Sequence, residues 1–576
     1  MITLSHLFLF LLFEVGLGKT LMTIATIMGM QRKDRSKHFV VVCPSSLVGN
    51  WAKEFDKWIG KASQPRRVVL QKGDADSISR LKSTYSSTAK MGGQVLILSY
   101  ELFRRVTSNF HDGIKIGLLV VDEGHRLKNQ EGLTVAALES LNCEARLCIT
   151  ATPVQNNLRE FYNLASFVKP GLLGDVSVFR RDFEQPIMAA NQKNASREQK
   201  QKGKEQAKAL DALIKPFMLR RLQKDVLKSM LPPRTEVLIF CRPTSEQARL
   251  YENLCIDATS QSMSTEALVS LGKLRKLCAH PVLLKSKDNL TKAADVTMSG
   301  KLLVLEAMLH SIREENEKVV IVSNYTSVLT LIETSLLRPK QLPFVRLDGS
   351  TDQSERQGVV DSFNRPNSST FAFLLSSKAG GCGLNLIGGN RLIMFDADWN
   401  PATDTQAMAR IYRPGQTKAC YIYRMFTTGT VEEVILQRQI AKESLSVFDG
   451  TKTIEKFTKE ELKDCFTLKD CDCDTKHKLG TTWLDYNGPD SLSEQKIQDE
   501  PLVKVCQRAS EVVSFVHLVP EKADKMTERP GLASELVQGD DDSDSSSKSG
   551  SSSSSKSDSS DGSANDDESD EEMEFD

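Results

Sequence analysis

The chain has 576 residues, enough for about two to four domains, and its 75 basic side chains balance 75 acidic ones. The balance hides a division: Asp540 to Asp576 holds 14 acidic residues against Lys548 and Lys556, a net of −12, which leaves +12 on everything before it. A basic body with an acidic, Ser-rich end argues against a membrane or secreted protein and for one that binds polyanions, and twelve cysteines without paired spacing argue against a disulfide scaffold.

The opening run, MITLSHLFLFLLF, has the apolar character of a signal peptide but neither a basic leader nor a small-residue cleavage site. It is read as a buried strand or a misassigned start, and no other run approaches a membrane span. Gly16-Leu17-Gly18-Lys19-Thr20 follows as a phosphate loop. Glycines let backbone N–H groups approach phosphate, Lys19 neutralises the β and γ oxygens, and Thr20 offers a hydroxyl to Mg²⁺. The match is incomplete, because Phe13 stands where the longer GxxxxGKT pattern has its first glycine. A helix over Leu21 to Met30 gives the loop its expected context.

Short apolar, β-branched runs then alternate with helical stretches. Phe39 to Cys43, Val95 to Ser99, Leu118 to Asp122 and Leu147 to Thr150 form one series. Val319 to Ser323, Phe344 to Asp348, Phe371 to Ser376, Leu392 to Asp396 and Tyr421 to Phe426 form another. Strands apolar on both sides belong to parallel sheets covered by helices, so two α/β lobes are expected, with helical insertions and a disordered acidic tail. The expected divisions are a nucleotide-binding lobe over 1–170, a helical insertion over 171–298, a second lobe over 299–449, an extension over 450–539 and the Ser/Asp/Glu-rich tail over 540–576. The tail cannot bury enough apolar surface to offset chain entropy.

Strand ends carry the candidate site. In Val121-Asp122-Glu123-Gly124-His125 the carboxylates reach the sheet's carboxyl edge, where Asp122 would hold Mg²⁺ and Glu123 would polarise the attacking water. Ser45, Ser46, Ser99 and Tyr100 end strands and could offer donors to a nucleic-acid backbone, although such residues are more often simple caps. Thr150 and Thr152, with His125, could link the nucleotide to a bound strand. In the second series, Ser376 to Asn385 (SSKAGGCGLN) offers Lys378 to phosphate and Gly380 for close approach, and Asn324 also ends a strand. Gln406 to Gln416 (QAMARIYRPGQ) places Arg410 and Arg413 on one face of a short helix, with planar guanidinium groups suited to a γ-phosphate. Cys465, Cys471, Cys473 and His477 have a Cys-x-Cys spacing that is less usual for zinc than Cys-x₂-Cys, and no zinc site is expected there.

Taken in order, GLGKT, CPSSLVGNWAKEF, ILSYE, DEGHRLKN, TATPVQNNLREFYNL, LRKLCAHP and DADWNPATDTQAMARIYRPGQ resemble helicase superfamily two, and within it the SWI/SNF-like DNA translocases. The similarity covers about residues 14 to 445, and RIYRPGQ is closer to the homologous-recombination branch than to nucleosome remodellers, which tend to read RAHRIGQ. The resemblance implies two RecA-like lobes that close on ATP and Mg²⁺, with Gly16, Gly18, Lys19, Thr20, Asp122 and Gln406 at the nucleotide and Glu123, Arg410 and Arg413 in catalysis. It further implies movement along double-stranded DNA in the nucleus, partnership with a RecA-like recombinase filament, and nucleosomes as a possible second substrate. A nucleosome-remodelling ATPase and an inactive DNA- and recombinase-binding scaffold remain the alternatives. Three departures stand out: FEVGLGKT replaces the family's DEMGLGKT, Pro414 stands at a position usually acidic or apolar, and the family's adenine-recognising segment would lie before Met1. An upstream extension is therefore expected.

Overall fold

A computed structural model of the chain describes residues 8–13, 16–59, 67–70, 79, 93–107, 116–127, 133–150, 158–190, 195–221, 226–227, 230–260, 265–284, 292–352, 355–380, 384–444, 464–469 and 499–519. The first sheet comprises β1 (Phe8–Phe13), β2 (His38–Cys43), β3 (Arg67–Leu70), β4 (Val95–Ser99), β5 (Ile116–Asp122), β6 (Arg146–Thr150) and β7 (Met218–Arg221), in the spatial order β3-β4-β2-β5-β6-β1-β7. All of its pairings are parallel.

The second sheet comprises β8 (Arg234–Cys241), β9 (Val319–Ser323), β10 (Phe344–Leu347), β11 (Ala372–Ser376), β12 (Arg391–Met394), β13 (Cys420–Thr427) and β14 (Val513–Leu518), in the order β10-β11-β9-β12-β13-β8-β14. Counted from its own first strand, it repeats the first sheet's order. The one difference lies at the edge, where β14 runs antiparallel to β8. Two parallel-dominated lobes of one topology are thus present, as the sequence patterning predicts.

The all-apolar strands explain why both faces of each sheet are covered. Along β2, Val40 and Val42 join one core, with Leu96, Leu98 and Val121, while Phe39 and Val41 join the opposite core, with Ile24, Ile27 and Trp51. Successive side chains of a strand point to opposite faces, so the run FVVVC supplies both. In the second sheet, Val319 and Ile321 pack on one side, and Val320 and Val322 on the other. Each fully buried side chain of this size contributes about 1.5–3 kcal/mol against exposure.

Six helices matter below: α1 (Lys19–Lys33), α2 (Val48–Ile59), α3 (Tyr100–Val106), α4 (Pro401–Met408), α5 (Val431–Ser444) and α6 (Glu500–Arg508). The helix after the phosphate loop starts two residues earlier and ends three later than the expected Leu21 to Met30. Three other expectations are corrected. The segment 171–298 is not purely helical, since it supplies β7 to the first sheet and β8 to the second. Pro232 and Pro233 stop the preceding chain, and β8 opens on Arg234-Thr235-Glu236, whose charges mask its apolar run. Part of 450–539 also belongs to the second lobe, through α6 and β14. Buried Asp499 accepts from Arg391 Nη1 at 2.7 Å and from the Tyr423 hydroxyl, and Arg508 on α6 pairs with Glu314 at 2.8 Å. Finally, α4 stops at Met408, so Arg410 and Arg413 lie in the turns beyond it rather than on a helix. Pro414 disfavours a helical residue before it, and the Arg410 carbonyl is taken by Leu386 N at 3.0 Å.

The tail over 540–576, Cys471, Cys473, His477 and Thr152 lie outside the described residues, as do the side chains of His125 and Lys378 and the surroundings of Gly380. Cys465 is described and buried against Tyr251 and Leu277. Among the described residues, no group of three or more His, Cys, Asp or Glu is placed to hold a metal ion, and no helix is long and apolar enough to cross a membrane.

Candidate ATP and nucleic-acid site

The carboxyl edge of the first sheet gathers the expected residues in a definite order. Parallel strands all end on the same side, so Ser99, Ser45, Asp122, Thr150 and the phosphate loop follow one another along the edge as β4, β2, β5, β6 and β1 end. The loop and the Asp122–Glu123 pair are separated by one strand, β6, whose last residue Thr150 is fully buried.

Gly16 (φ 88°) and Gly18 (φ 74°) hold left-handed backbone, which a side chain would oppose, and Gly18 is the N-cap of α1. A Cβ built on Gly18 would meet nothing within 4 Å, so an open cradle lies before the first-turn amides of a 15-residue helix. A helix N-terminus favours an anion through the direction of its first-turn N–H groups and through the helix dipole. Lys19 Nζ donates back to the Phe13 carbonyl at 2.7 Å.

Asp122 is buried among polar partners: Trp51 Nε1 donates to its Oδ2 at 2.9 Å, Glu123 N donates to its Oδ1 at 3.0 Å, and the Tyr100 hydroxyl donates to its carbonyl at 2.5 Å. Burial raises its carboxyl to about 6, the Glu123 charge adds to the rise, and the Trp51 N–H and Lys19 oppose it. Glu123 itself stands at φ 54°, a left-handed conformation rare for a side-chain-bearing residue and concentrated at functional sites. A glycine follows for a packing reason: a Cβ on Gly124 would come 2.2 Å from Cys148 Sγ.

The structure sorts the proposed nucleic-acid contacts. Ser45 is exposed and Ser46 half-buried, in the 3-10 turn Ser45–Leu47 that runs directly into α2. Ser99 instead acts as the N-cap of α3, accepting from Leu102 N at 3.2 Å. Tyr100 does not present its side chain to a ligand. It opens α3 facing the sheet, is 5% exposed and spends its hydroxyl on Asp122, because the cap sets its direction inward.

At the second sheet's carboxyl edge, Asp396 accepts from Asn324 N at 2.8 Å and from the Ser323 hydroxyl, while the Ser377 hydroxyl donates to Asn324 Oδ1. Asn324 and the 376–380 segment are therefore brought together, with Asp396 as the organiser that sequence reasoning missed. Arg275 was missed too. It donates to the Ala397 carbonyl at 2.7 Å and lies over the Trp399 and Tyr325 rings, so it braces the loop leading to α4. Half-buried Gln406 is on α4, and Asp404 on the same helix is buried against Arg424 and Gln439. Arg410 is 4% exposed, and Arg413 Nη1 donates to the Leu384 carbonyl at 2.8 Å. Gln416 Nε2 holds the carbonyls of Gly389 and Ile411 at 3.0 and 3.2 Å, which fixes the loop around both arginines.

Two sheets of one topology, with a phosphate loop and an acidic strand end on the first and a braced pair of arginines on the second, define a two-lobed, helicase-like ATPase. Comparison with known proteins agrees: the SNF2-related domain matches residues 7–283 and the helicase conserved C-terminal domain matches residues 300–415. The DNA repair and recombination protein RAD54-like of Gallus gallus is 42% identical over 81% of this chain and 67% of its own, and that of Mus musculus is 40% identical over 87% and 74%. The DNA repair and recombination protein RAD54B of Homo sapiens is 43% identical over 81% of this chain and 55% of its own. The chain belongs to the RAD54-like family of SNF2-related ATPases. A solved Sulfolobus solfataricus SWI2/SNF2 ATPase core in complex with dsDNA aligns with 80% of this chain and 93% of its own, at 26% identity and a TM-score of 0.35.

Proposed function

We propose that this chain is an ATP-driven translocase on double-stranded DNA that acts in nuclear homologous-recombination repair beside a RecA-like recombinase filament. The observation that carries the reading is the first sheet's edge, where the phosphate loop and Asp122–Glu123 stand one strand apart and the exposed Ser45 turn follows on the other side of Asp122. The names and identities of its relatives support the choice of DNA repair over general remodelling.

The residues fit Mg²⁺-ATP. Gly16, Gly18 and the first-turn amides of α1 would take the β and γ phosphates in the open cradle, with Lys19 swinging from the Phe13 carbonyl to their oxygens. Thr20 and Asp122 would hold Mg²⁺, which when bound neutralises charge on the triphosphate. Glu123 accepts a proton from the attacking water as general base. Arg410 and Arg413, already held by their loop, would stabilise the charge that builds on the transferred phosphoryl group as the lobes close. Ser45 and Ser46 from the first lobe and Asn324, Lys378 and Gly380 from the second would follow the duplex backbone, with His125, Thr150 and Thr152 between nucleotide and DNA.

Steady-state ATP hydrolysis compared across duplex DNA, single-stranded DNA, RNA and nucleosomes tests this reading. Duplex DNA is expected to stimulate best, with displacement of a triplex-forming strand and no net strand separation. Best stimulation by nucleosomes would move the chain to the remodelling alternative, and best stimulation by RNA would reject both.

A further inference from the structure

Asp122 is the meeting point of elements that the ATP chemistry alone does not require. Its three acceptors are each committed to a different segment: Oδ1 to the Glu123 turn, Oδ2 to Trp51 on α2, and the carbonyl to Tyr100 on α3. The last two segments begin at the strand-end turns of β2 and β4. The Ser45–Leu47 turn passes without a break into α2, since Val48 is already helical, so Trp51 stands about 8 Å along a continuous rod from Ser46. Tyr100 is the first residue of α3, adjacent to Ser99, and its side chain reaches across the end of β2 to β5, the strands lying in the order β4-β2-β5. Both aromatic side chains are buried, at 1% and 5% exposure, so neither bond competes with water.

We propose that Trp51 and Tyr100 are positioning residues that couple the strand-end turn of β2 to Asp122, Trp51 carrying the movement of the turn and Tyr100 holding the Asp122 main chain against it, so that a duplex held at Ser45 and Ser46 resets the geometry of the ATP site. The geometry gives each a distinct task. A shift of the Ser45–Leu47 turn moves α2 and with it the indole N–H that aims the Asp122 carboxylate. The Tyr100 phenol anchors the Asp122 main chain, and with it the entry to Glu123, so that the carboxylate turns about a fixed point. Coupling of this kind needs an element tied to both sites, and Asp122 is hydrogen-bonded to Trp51 on the helix that leaves the β2 turn. The inference rests on the duplex-dependent ATPase reading above and adds to it the path by which the duplex acts.

The test uses Trp51→Phe and Tyr100→Phe in the full chain, each removing one donor and keeping an aromatic ring, with thermal melting to establish folding. Three quantities are read: duplex affinity by anisotropy without nucleotide, affinity for a fluorescent ATP analogue without DNA, and turnover with and without saturating duplex. Each variant is expected to keep both affinities and to lose about tenfold in the ratio of duplex-stimulated to basal turnover, the effect of one hydrogen bond to a charged or fixed acceptor. The double variant should lose little more than the worse single one, because both act through Asp122. A merely structural role would lower basal and stimulated turnover together and leave the ratio intact, and that result overturns the proposal. If Trp51→Phe does not fold, Tyr100→Phe, which loses a single hydroxyl, decides alone. Failure of the wild-type chain to respond to duplex at all would instead reject the function on which the inference rests.

Discussion

On the proposed roles, Lys19, Glu123 and Arg413 should fail in different ways, because they would act at different moments. Lys19→Ala removes a charge proposed to hold phosphate, so equilibrium binding of nucleotide should weaken. Glu123→Gln keeps the shape of the turn and loses the base, so ATP should still bind while single-turnover hydrolysis falls by about 10²–10⁴-fold. Arg413→Ala should leave duplex affinity unchanged and lower turnover by about 10³-fold, since its proposed role is to supply charge when the lobes close on the transition state. Normal hydrolysis by Arg413→Ala would contradict the split site. Gly124 makes a separate point about packing. Gly124→Ala drives a Cβ to 2.2 Å from Cys148 Sγ and should cost about 1–3 kcal/mol in urea unfolding, as other overpacked cores do. Adding Cys148→Ala should restore most of that loss.

The loop bearing the arginines depends on a buried polar joint between elements. Asp404 on α4 is 1% exposed and meets Arg424 of β13 at 3.3 Å and Gln439 of α5 at 2.8 Å. Burial pushes its carboxyl up to about 7, against the opposing pull of Arg424. A carboxyl whose folded value lies above its unfolded one binds its proton more tightly when folded. Its contribution to stability is therefore fully present below about pH 4 and is lost as pH rises toward 7. Asp404→Asn removes that titration, so the stability difference between wild type and variant should change across this window and be level above it. A constant difference from pH 4 to 7, measured by denaturant unfolding, would show that Asp404 titrates alike in both states.

Legibility in the sequence followed the same physics. Runs such as FVVVC and VVIVS announced their strands because a central parallel strand is apolar on both faces. β8 and β7 did not, the first because its opening residues are charged and the second because MLRR is a short edge strand. Spacing placed Arg410 and Arg413 together but could not show that Pro414 and the Leu386 contact would keep them off the helix. Phosphate-loop and acidic residues were legible as motifs. The inward turn of Tyr100 and the Trp51 bond to Asp122 were not, since each joins positions far apart in the chain.

Taken whole, the chain divides its charge between a basic body and an acidic end, and that division predicts a measurable competition. Removing 540–576 takes away a net charge of −12, so duplex affinity at low salt should rise and the slope of log affinity against log salt should steepen. The two proteins should converge at high salt, where both fields are screened. Identical curves at every salt concentration would leave the tail a solubilising role. The repeated strand order also has a consequence in time. β1, which leads into the phosphate loop, pairs with β6 and β7, so its neighbours are translated only after about 140 and 210 further residues. At roughly 5–20 residues per second, the nascent ATP-binding lobe must wait several seconds or more with its phosphate-loop strand unpaired. β8 waits longer still for β14. A ribosome-bound chain halted before β6 emerges should thus expose an apolar strand to chaperones and bind no nucleotide, however complete its phosphate-loop motif.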